Sequence, residues 1–282
     1  MEKSVKIKCP AKINLTLEVV NRREDGFHNI KSIMQMINLY DYLTISVKES
    51  SKTEIKLSGT SVDIPYDEKN LVYKAAKLYM ESAGIDDLEV SIFIEKNIPI
   101  AAGLAGGSTD AAGTFYGLNY LLKKFDDKKI NEMCASLGSD LNVCLNGGCV
   151  LATSRGENTE KMPCAKKEVT LIKPKYLGIS AGEAYTKYSK KEFKPQNNMT
   201  EKMLEALNND SDISEFLYND LEYAVFEDYV ELQEIKRAYP RAIMSGSGST
   251  YFMLEKVDEK LLDENFEYFE NLEFIKSGVS LA

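Results

Sequence analysis

The amino-acid sequence predicts an α+β fold in two domains. Residues 4–20 and 42–57 have the alternating, β-branched character that is typical of strands. Apolar residues recur at helical spacing over 70–83 and 111–124, so we expect helices there. After residue 155 the chain turns polar and charged helical runs become frequent, which favours a domain boundary at that point.

Helix ends in the first half carry local signals. Asn70 is a suitable N-cap for the helix over 70–83, and Gly84 is suited to ending it. Gly138 is expected to end a second helix. The other elements expected in this half are a strand at 90–95, a helix at 128–137 and a strand at 149–152.

The second half predicts helices and a short strand pair. Helical runs are expected at 199–208 and 213–238. Residues 242–254 predict a strand, a turn rich in serine and glycine, and a second strand. We therefore expect a first domain over 1–155 and a second domain over 156–282.

Composition narrows the class of protein. The chain has 282 residues, of which 44% are hydrophobic and 28% charged, values that are ordinary for a soluble globular protein. The net charge of −9 argues against general binding to nucleic acid or to anionic membranes, because both need a basic surface. A phosphorylated ligand would need local N–H groups and a few placed cations.

Cysteine usage predicts a cytoplasmic protein. The five cysteines are scattered, their number is odd and no C-x-x-C pair occurs, so we expect reduced thiols. The single histidine, His28, makes a zinc site or a catalytic thiol improbable. The N-terminus lacks the apolar core of a signal peptide, and no segment approaches the length of a membrane span.

A glycine-rich loop, Pro99–Ala111, is the most informative segment. It joins a predicted strand to a predicted helix, whose N-terminus would present free N–H groups and a positive partial charge to an anion. It lacks the ending of a P-loop and is not a G-x-G-x-x-G motif. The alternative is a flexible connection in which Ser108 or Thr109 caps the helix.

Two charged residues outside the glycine-rich loop, Lys12 and Asp140, are candidate functional groups. Lys12 and Asn14 share one face of the first predicted strand, where they could serve a ligand or form a solvated face of an edge strand. Asp140 follows the helix over 128–137. It could be a cap or turn residue, or a group that accepts or orients a proton.

A predicted turn at 25–30 places an aromatic ring beside an imidazole. Phe27 and His28 together could bind a planar base, since one offers a ring face and the other a hydrogen bond. The alternative is that Phe27 fills the core and His28 has a structural role.

Taken together, the motifs resemble those of the GHMP kinases (galacto-, homoserine, mevalonate and phosphomevalonate kinases). The glycine loop Gly103–Ser108 matches their second motif, and Ser245–Thr250 matches their third. The other matching segments are Pro10–Leu15, Asp25–His28, Gly138–Asp140 and Asn219–Glu222, and the resemblance runs to about residue 254. Phe27 and Thr109 depart from the usual tyrosine and serine, without removing a group that the chemistry requires.

The resemblance implies a fold and a nucleotide site. It implies an N-terminal domain like domain 2 of ribosomal protein S5, a ferredoxin-like C-terminal domain, and an active site in the cleft between them. It implies ATP and magnesium, with Ser108 as a candidate contact of the metal. The residues expected to bind ATP are Pro99, Ala101, Ala102, Gly103, Leu104, Ala105, Gly106, Gly107, Ser108 and Thr109.

The order and spacing of the motifs further imply a substrate. They resemble those of family members that phosphorylate the 2-hydroxyl of a cytidine diphosphate-linked methylerythritol, in the non-mevalonate isoprenoid route. Asp140 would be the base and Lys12 its partner. The residues expected to bind this substrate are Asn14, Phe27, His28, Tyr185, Gly246, Ser247 and Gly248. Phe27 and Tyr185 would take opposite faces of the cytosine.

Two alternatives remain open at this point. The chain could be another GHMP kinase, acting on homoserine or a mevalonate derivative, although such a substrate has no need of a base-stacking pair. It could also be a GHMP-fold binding protein without catalysis, although Lys12 and Asp140 are both present. We expect a monomer or a weak homodimer with no nucleic-acid or membrane partner.

Overall fold

The computed structural model describes residues 2–192, 198–257 and 259–282, and in it two β-sheets are packed with helices. The mixture of helix and strand confirms the α+β class. The strands are β1 Lys3–Arg22, β2 His28–Glu49, β3 Glu54–Gly59, β4 Leu88–Glu95, β5 Cys149–Ser154, β6 Asn158–Met162, β7 Glu168–Pro174, β8 Tyr218–Asn219, β9 Ile243–Met244, β10 Tyr251–Met253, β11 Phe266–Glu273 and β12 Ser280–Leu281.

The helices are mostly short and lie between the strands in the chain. They are α1 Leu71–Ala83, α2 Gly106–Leu122, α3 Asp127–Leu137, α4 Leu141–Asn146, α5 Ala181–Lys190, α6 Met199–Asn208, α7 Asp220–Val225 and α8 Val230–Ala238. No helix in the described ranges is long and apolar enough to cross a membrane.

The first sheet is built on one long hairpin, β1–β2. Its strand order is β12-β1-β2-β4-β3, with β5 paired to β2, β6 to β5, and β8 to β1. The strand predicted over 42–57 is wrong as a single element: β2 ends at Glu49, the chain turns, and β3 then runs parallel to β4. The turn follows from the polar, small residues Ser50–Thr53.

Helix α1 has the ends that its sequence predicts. The side chain of Asn70 accepts a hydrogen bond from the N–H of Val72 at 2.9 Å, which satisfies one free donor of the first turn. Gly84 ends the helix in the left-handed region, with φ +62°. Helix α3 ends at Gly138, as predicted, although this glycine is extended, with φ −178°, and not left-handed.

Helix α2 begins earlier than predicted. It starts at Gly106 rather than residue 111, and Ala105 stands at the N-cap with φ +59° and no side-chain capping bond. The expectation that Ser108 or Thr109 caps this helix is therefore wrong, because both lie inside its first turns. The left-handed turn at Ala105 lets the chain enter the helix directly from the glycine-rich loop.

The second sheet has the order β11-β7-β10-β9. The strand–turn–strand prediction over 242–254 is confirmed by β9 and β10, which pair antiparallel. The single helix predicted over 213–238 is wrong: this region contains two 3₁₀ turns, β8, α7 and α8. Helix α6 matches its prediction at 199–208.

Three hydrophobic clusters hold these layers together. One lies between the first sheet and α1–α4, a second between the two sheets, and a third under α5, α7 and α8. The boundary proposed at 155/156 stays a prediction, since β6, β8 and β12 come after it in the chain and still pair with the first sheet.

Candidate active site

A cavity of about 1130 Å³ brings the predicted motifs together. It is lined by the glycine-rich loop, the second half of β1, the β1–β2 turn, α5 and the 246–247 turn. Of the residues predicted to bind ATP or substrate, all line the cavity except Thr109 and Gly248. Thr109 is buried within α2, and Gly248 packs against Met244.

The start of α2 turns its free backbone groups toward the cavity. The first bond of the helix runs from the N–H of Thr109 to the carbonyl of Ala105, so the N–H groups of Gly106, Gly107 and Ser108 have no partner within the helix. At Gly107 the nearest atom to an added Cβ would be a Leu71 methyl at 3.8 Å. An anion can therefore approach this part of the backbone closely.

Lys12 lies at the base of the cavity. Its side chain is almost completely buried, which rules out the solvated edge-strand alternative. Its Nζ donates to Asn14 Oδ1 at 2.6 Å and to the carbonyl of Gly103 at 3.1 Å. These bonds hold the Lys12 amino group beside the glycine loop.

Asp140 faces Lys12 from the start of α4. It stands at the N-cap position of that helix, yet its side chain makes no capping bond. Instead Oδ2 lies 3.6 Å from Lys12 Nζ, and the carboxylate is 30% exposed. This is an ion pair that leaves the carboxylate open to a ligand in the cavity.

The serine- and glycine-rich turn after β9 is hydrogen-bonded both to the glycine-rich loop and to strand β1. Ser245 Oγ donates to the carbonyl of Gly103 at 3.0 Å and accepts from the N–H of Asn14 at 3.3 Å. Asn219 donates to the carbonyls of Met244 and Gly246, at 2.6 and 2.8 Å. The Asn219–Glu222 motif thus acts structurally, by fixing this turn against the first sheet.

The aromatic residues line the cavity where the β1–β2 turn meets α5. Phe27 is 55% exposed, so the alternative that it fills the core is wrong. The guanidinium of Arg155 lies 5.2 Å from the centre of the Phe27 ring. His28 stacks on Tyr185 with 5.1 Å between ring centres, and its Nε2 lies 3.0 Å from Ser189 Oγ.

Sequence reasoning missed a buried ion cluster beneath the loop. Lys96 lines the cavity and forms ion pairs with Asp41 and with Asp110, at 2.8 Å for the latter. Burial raises the pKa of the Asp110 carboxyl, and the neighbouring Lys96 opposes that rise. The one sequence feature that pointed to this cluster is Asp41, a single aspartate within strand β2.

The oxygen donors in the cavity are suited to magnesium. Magnesium is usually held by one or two protein oxygens, several waters and the phosphates of a substrate. Across the described ranges, no three His, Cys, Asp or Glu side chains are grouped to hold a metal alone. The Ser108 hydroxyl and the Asp140 carboxylate both line the cavity, and this sparse set fits an ion that arrives with nucleotide phosphates.

Comparison with known proteins gives relatives over most of the chain. Residues 70–151 match the GHMP kinases N terminal domain. A 4-diphosphocytidyl-2-C-methyl-D-erythritol kinase of Clostridioides difficile is 38% identical, covering 92% of this chain and 89% of the relative. A kinase of the same name from Bacillus pumilus is 39% identical, covering 90% of this chain and 89% of the relative.

Solved structures agree with these relatives. A crystal structure of 4-(cytidine 5'-diphospho)-2C-methyl-D-erythritol kinase superposes with a TM-score of 0.71 at 32% identity, covering 91% of this chain and 90% of that one. A homoserine kinase from Cytophaga hutchinsonii superposes with a TM-score of 0.75 at 18% identity, covering 99% and 97%. The homoserine kinase shares the fold.

The identity and coverage of these relatives show the family of the chain. A relative that is 38% identical covers 92% of the chain, so the match extends over nearly its whole length. The chain is an ATP-dependent small-molecule kinase, and it belongs to the 4-diphosphocytidyl-2-C-methyl-D-erythritol kinase family of the GHMP kinases.

Proposed function

We propose that this kinase transfers the γ-phosphoryl group of ATP to the 2-hydroxyl of 4-diphosphocytidyl-2-C-methyl-D-erythritol. Its relatives are named for that substrate. The observation that carries the proposal is the contact of Lys12 with Asp140 and with the carbonyl of Gly103 in one cavity. These contacts support a site in which the proposed base, cation and phosphate loop act together.

Phosphoryl transfer depends mainly on positioning and charge neutralisation. The alcohol oxygen attacks the γ-phosphorus, the bond from phosphorus to the β–γ bridging oxygen breaks, and ADP leaves. Asp140 orients the hydroxyl and takes its proton late, because an alcohol is a far weaker acid than a carboxylic acid. Lys12, whose Nζ lies 3.6 Å from Asp140 Oδ2, offsets negative charge on the transferring group.

The start of α2 is the proposed phosphate site. The free N–H groups of Gly106, Gly107 and Ser108 donate to phosphate oxygens, and the helix dipole favours their charge. Ser108 is the candidate protein oxygen for a magnesium ion bound with ATP, which would neutralise phosphate charge.

The aromatic end of the cavity is the proposed cytosine site. Phe27 offers an exposed ring, and His28 offers a ring nitrogen that can exchange Ser189 for the edge of a base. Tyr185 reaches the same region from α5. Since His28 and Tyr185 stack on each other in this structure, a base entering between Phe27 and Tyr185 has to shift the Tyr185 ring.

ATP consumption tests the substrate directly. The wild-type protein is assayed with the cytidyl-linked methylerythritol, homoserine and mevalonate, each at the same concentration. We expect turnover with the cytidyl-linked alcohol alone, with phosphate on its 2-hydroxyl by NMR. Preferred turnover of homoserine or mevalonate would overturn the substrate proposal, and turnover of none would overturn catalysis.

A further inference from the structure

The ion cluster of Asp41, Lys96 and Asp110 takes no part in the proposed chemistry. All three side chains are at most 6% exposed. Lys96 Nζ donates to Asp110 Oδ2 at 2.8 Å and also donates to Asp41. Replacing such a cluster by apolar residues is often neutral for stability, so its presence calls for a reason other than stability.

Asp41 makes a second set of contacts. Its Oδ1 accepts the backbone N–H groups of Asn97 and Ile98, at 2.6 and 2.8 Å. These residues directly precede the glycine-rich loop, and Asp110 lies at its far end, within the first turns of α2. One carboxylate on β2 therefore holds both ends of segment 97–109, directly at the entry and through Lys96 at the exit.

The cluster also lies against the loop itself. A Cβ added to Gly106 would stand 2.8 Å from Lys96 Nζ, so the ammonium packs directly against the first residue of α2. Displacing Lys96 would remove the surface on which the start of the helix rests. The N–H groups of Gly106 and Gly107 would then lose their fixed direction toward the cavity.

We propose that Asp41 is a positioning residue for nucleotide binding, which with Lys96 and Asp110 clamps the two ends of the phosphate loop. This inference rests on the proposed use of that loop for ATP. Preformed N–H groups bind phosphate without a cost for ordering the loop, whereas a loop released at one end has to be ordered on binding.

Asp41→Asn tests the clamp with little change in shape. The amide oxygen still accepts from Asn97 and Ile98, but the charge that holds Lys96 is removed. We expect the KM and calorimetric Kd for ATP to rise about tenfold or more. The KM for the alcohol substrate should stay within about twofold, because the aromatic end of the cavity does not touch the cluster.

Two control variants separate positioning from stability. Asp212→Asn breaks an exposed ion pair with Lys167, 2.7 Å long and in another part of the fold, and should leave both KM values unchanged. Ile172→Val lowers stability from the second sheet, where Ile172 is buried, without touching the loop. Asp110→Asn removes only the ion pair between Lys96 and Asp110. It tests the clamp if Asp41→Asn does not fold.

The outcomes are distinct. A rise in the KM for ATP alone, in Asp41→Asn or Asp110→Asn, supports the clamp. Equal rises for both substrates, or a loss of melting temperature like that of Ile172→Val with an unchanged Kd for ATP, would overturn it. If substitutions in the glycine-rich loop itself leave the ATP affinity at the wild-type value, the proposed phosphate site is wrong.

Discussion

At the scale of single residues, Phe27 offers the sharpest test of substrate recognition. Its ring is 55% exposed in the cavity wall, so Phe27→Ala should cost little stability. If the ring stacks on cytosine, affinity for the cytidyl substrate should fall by about 1–3 kcal/mol, the usual scale for base–aromatic stacking. Calorimetry with substrate and with ATP measures both affinities on the same variant.

Phe27→Tyr is the matched control, because it keeps the ring and adds only a hydroxyl. Its affinity for the cytidyl substrate should stay near that of wild type. His28→Ala should reduce discrimination against uridyl analogues, since cytosine and uracil differ in their donor and acceptor pattern. Equal losses for ATP and substrate with a large drop in melting temperature would contradict base recognition at this turn.

At the scale of elements, the start of α2 carries the proposed phosphate site, and Gly107→Ala probes it. The added methyl meets only Leu71 at 3.8 Å, and alanine favours helix over glycine, so the melting temperature should hold or rise. The methyl also stands where phosphate oxygens approach. We expect the Kd for ATP to rise about tenfold or more, which is the effect of losing one or two charge-assisted hydrogen bonds.

Ala112→Gly makes the reverse change in the same helix, at a buried position that does not line the cavity. It should lower stability and leave ATP affinity unchanged. An ATP affinity for Gly107→Ala equal to that of wild type would place the phosphates elsewhere.

The elements that sequence predicted well are those with local signals. The ends of α1 are fixed locally: the side chain of Asn70 caps the first turn, and the left-handed backbone of Gly84 ends the helix. The start of α2 carries no such signal, because glycines disfavour a helix in isolation and only the packing of the loop fixes it. The sequence over 213–238 has the pattern of one amphipathic helix. In the structure, however, its apolar residues belong to two different hydrophobic clusters, the one between the two sheets and the one under α5, α7 and α8.

The same distinction applies to the site. Lys12, Asp140 and the glycine loop could be predicted because each lies in a short motif. The cluster of Asp41, Lys96 and Asp110 could not, because its members are 55 and 14 residues apart and no spacing rule connects them. Only the folded chain brings such partners together.

At the scale of the whole molecule, burial controls the reactivity of the cysteines. All five are free thiols, and four are buried in the two larger clusters. Burial raises the pKa of Cys134 to about 12, and it raises the pKa of Cys9, Cys144 and Cys149 as well. A thiol with a pKa of about 12 is ionised in about one molecule in ten thousand at pH 8.

Iodoacetamide at pH 8 should therefore label Cys164 first, since it alone is partly exposed. The other four should react only when urea unfolds the chain, because burial keeps the reagent away from them. Even at pH 10 only about one Cys134 thiol in a hundred is ionised. Mass spectrometry of peptides counts the labels. Rapid labelling of Cys9 or Cys144 in the native protein would contradict the packing around the first sheet.

We propose that Asp140 and Lys12 carry the phosphoryl transfer, and the kcat of the Asp140→Asn variant tests this proposal. The substitution keeps the shape and removes the base, so kcat should fall by about a hundredfold or more. Affinity for ATP should hold, because Lys12 keeps its bonds to Asn14 and Gly103. Asp126→Asn, the same change at the N-cap of α3, should leave kcat unchanged. A near-normal kcat in Asp140→Asn would show that Asp140 is not the base.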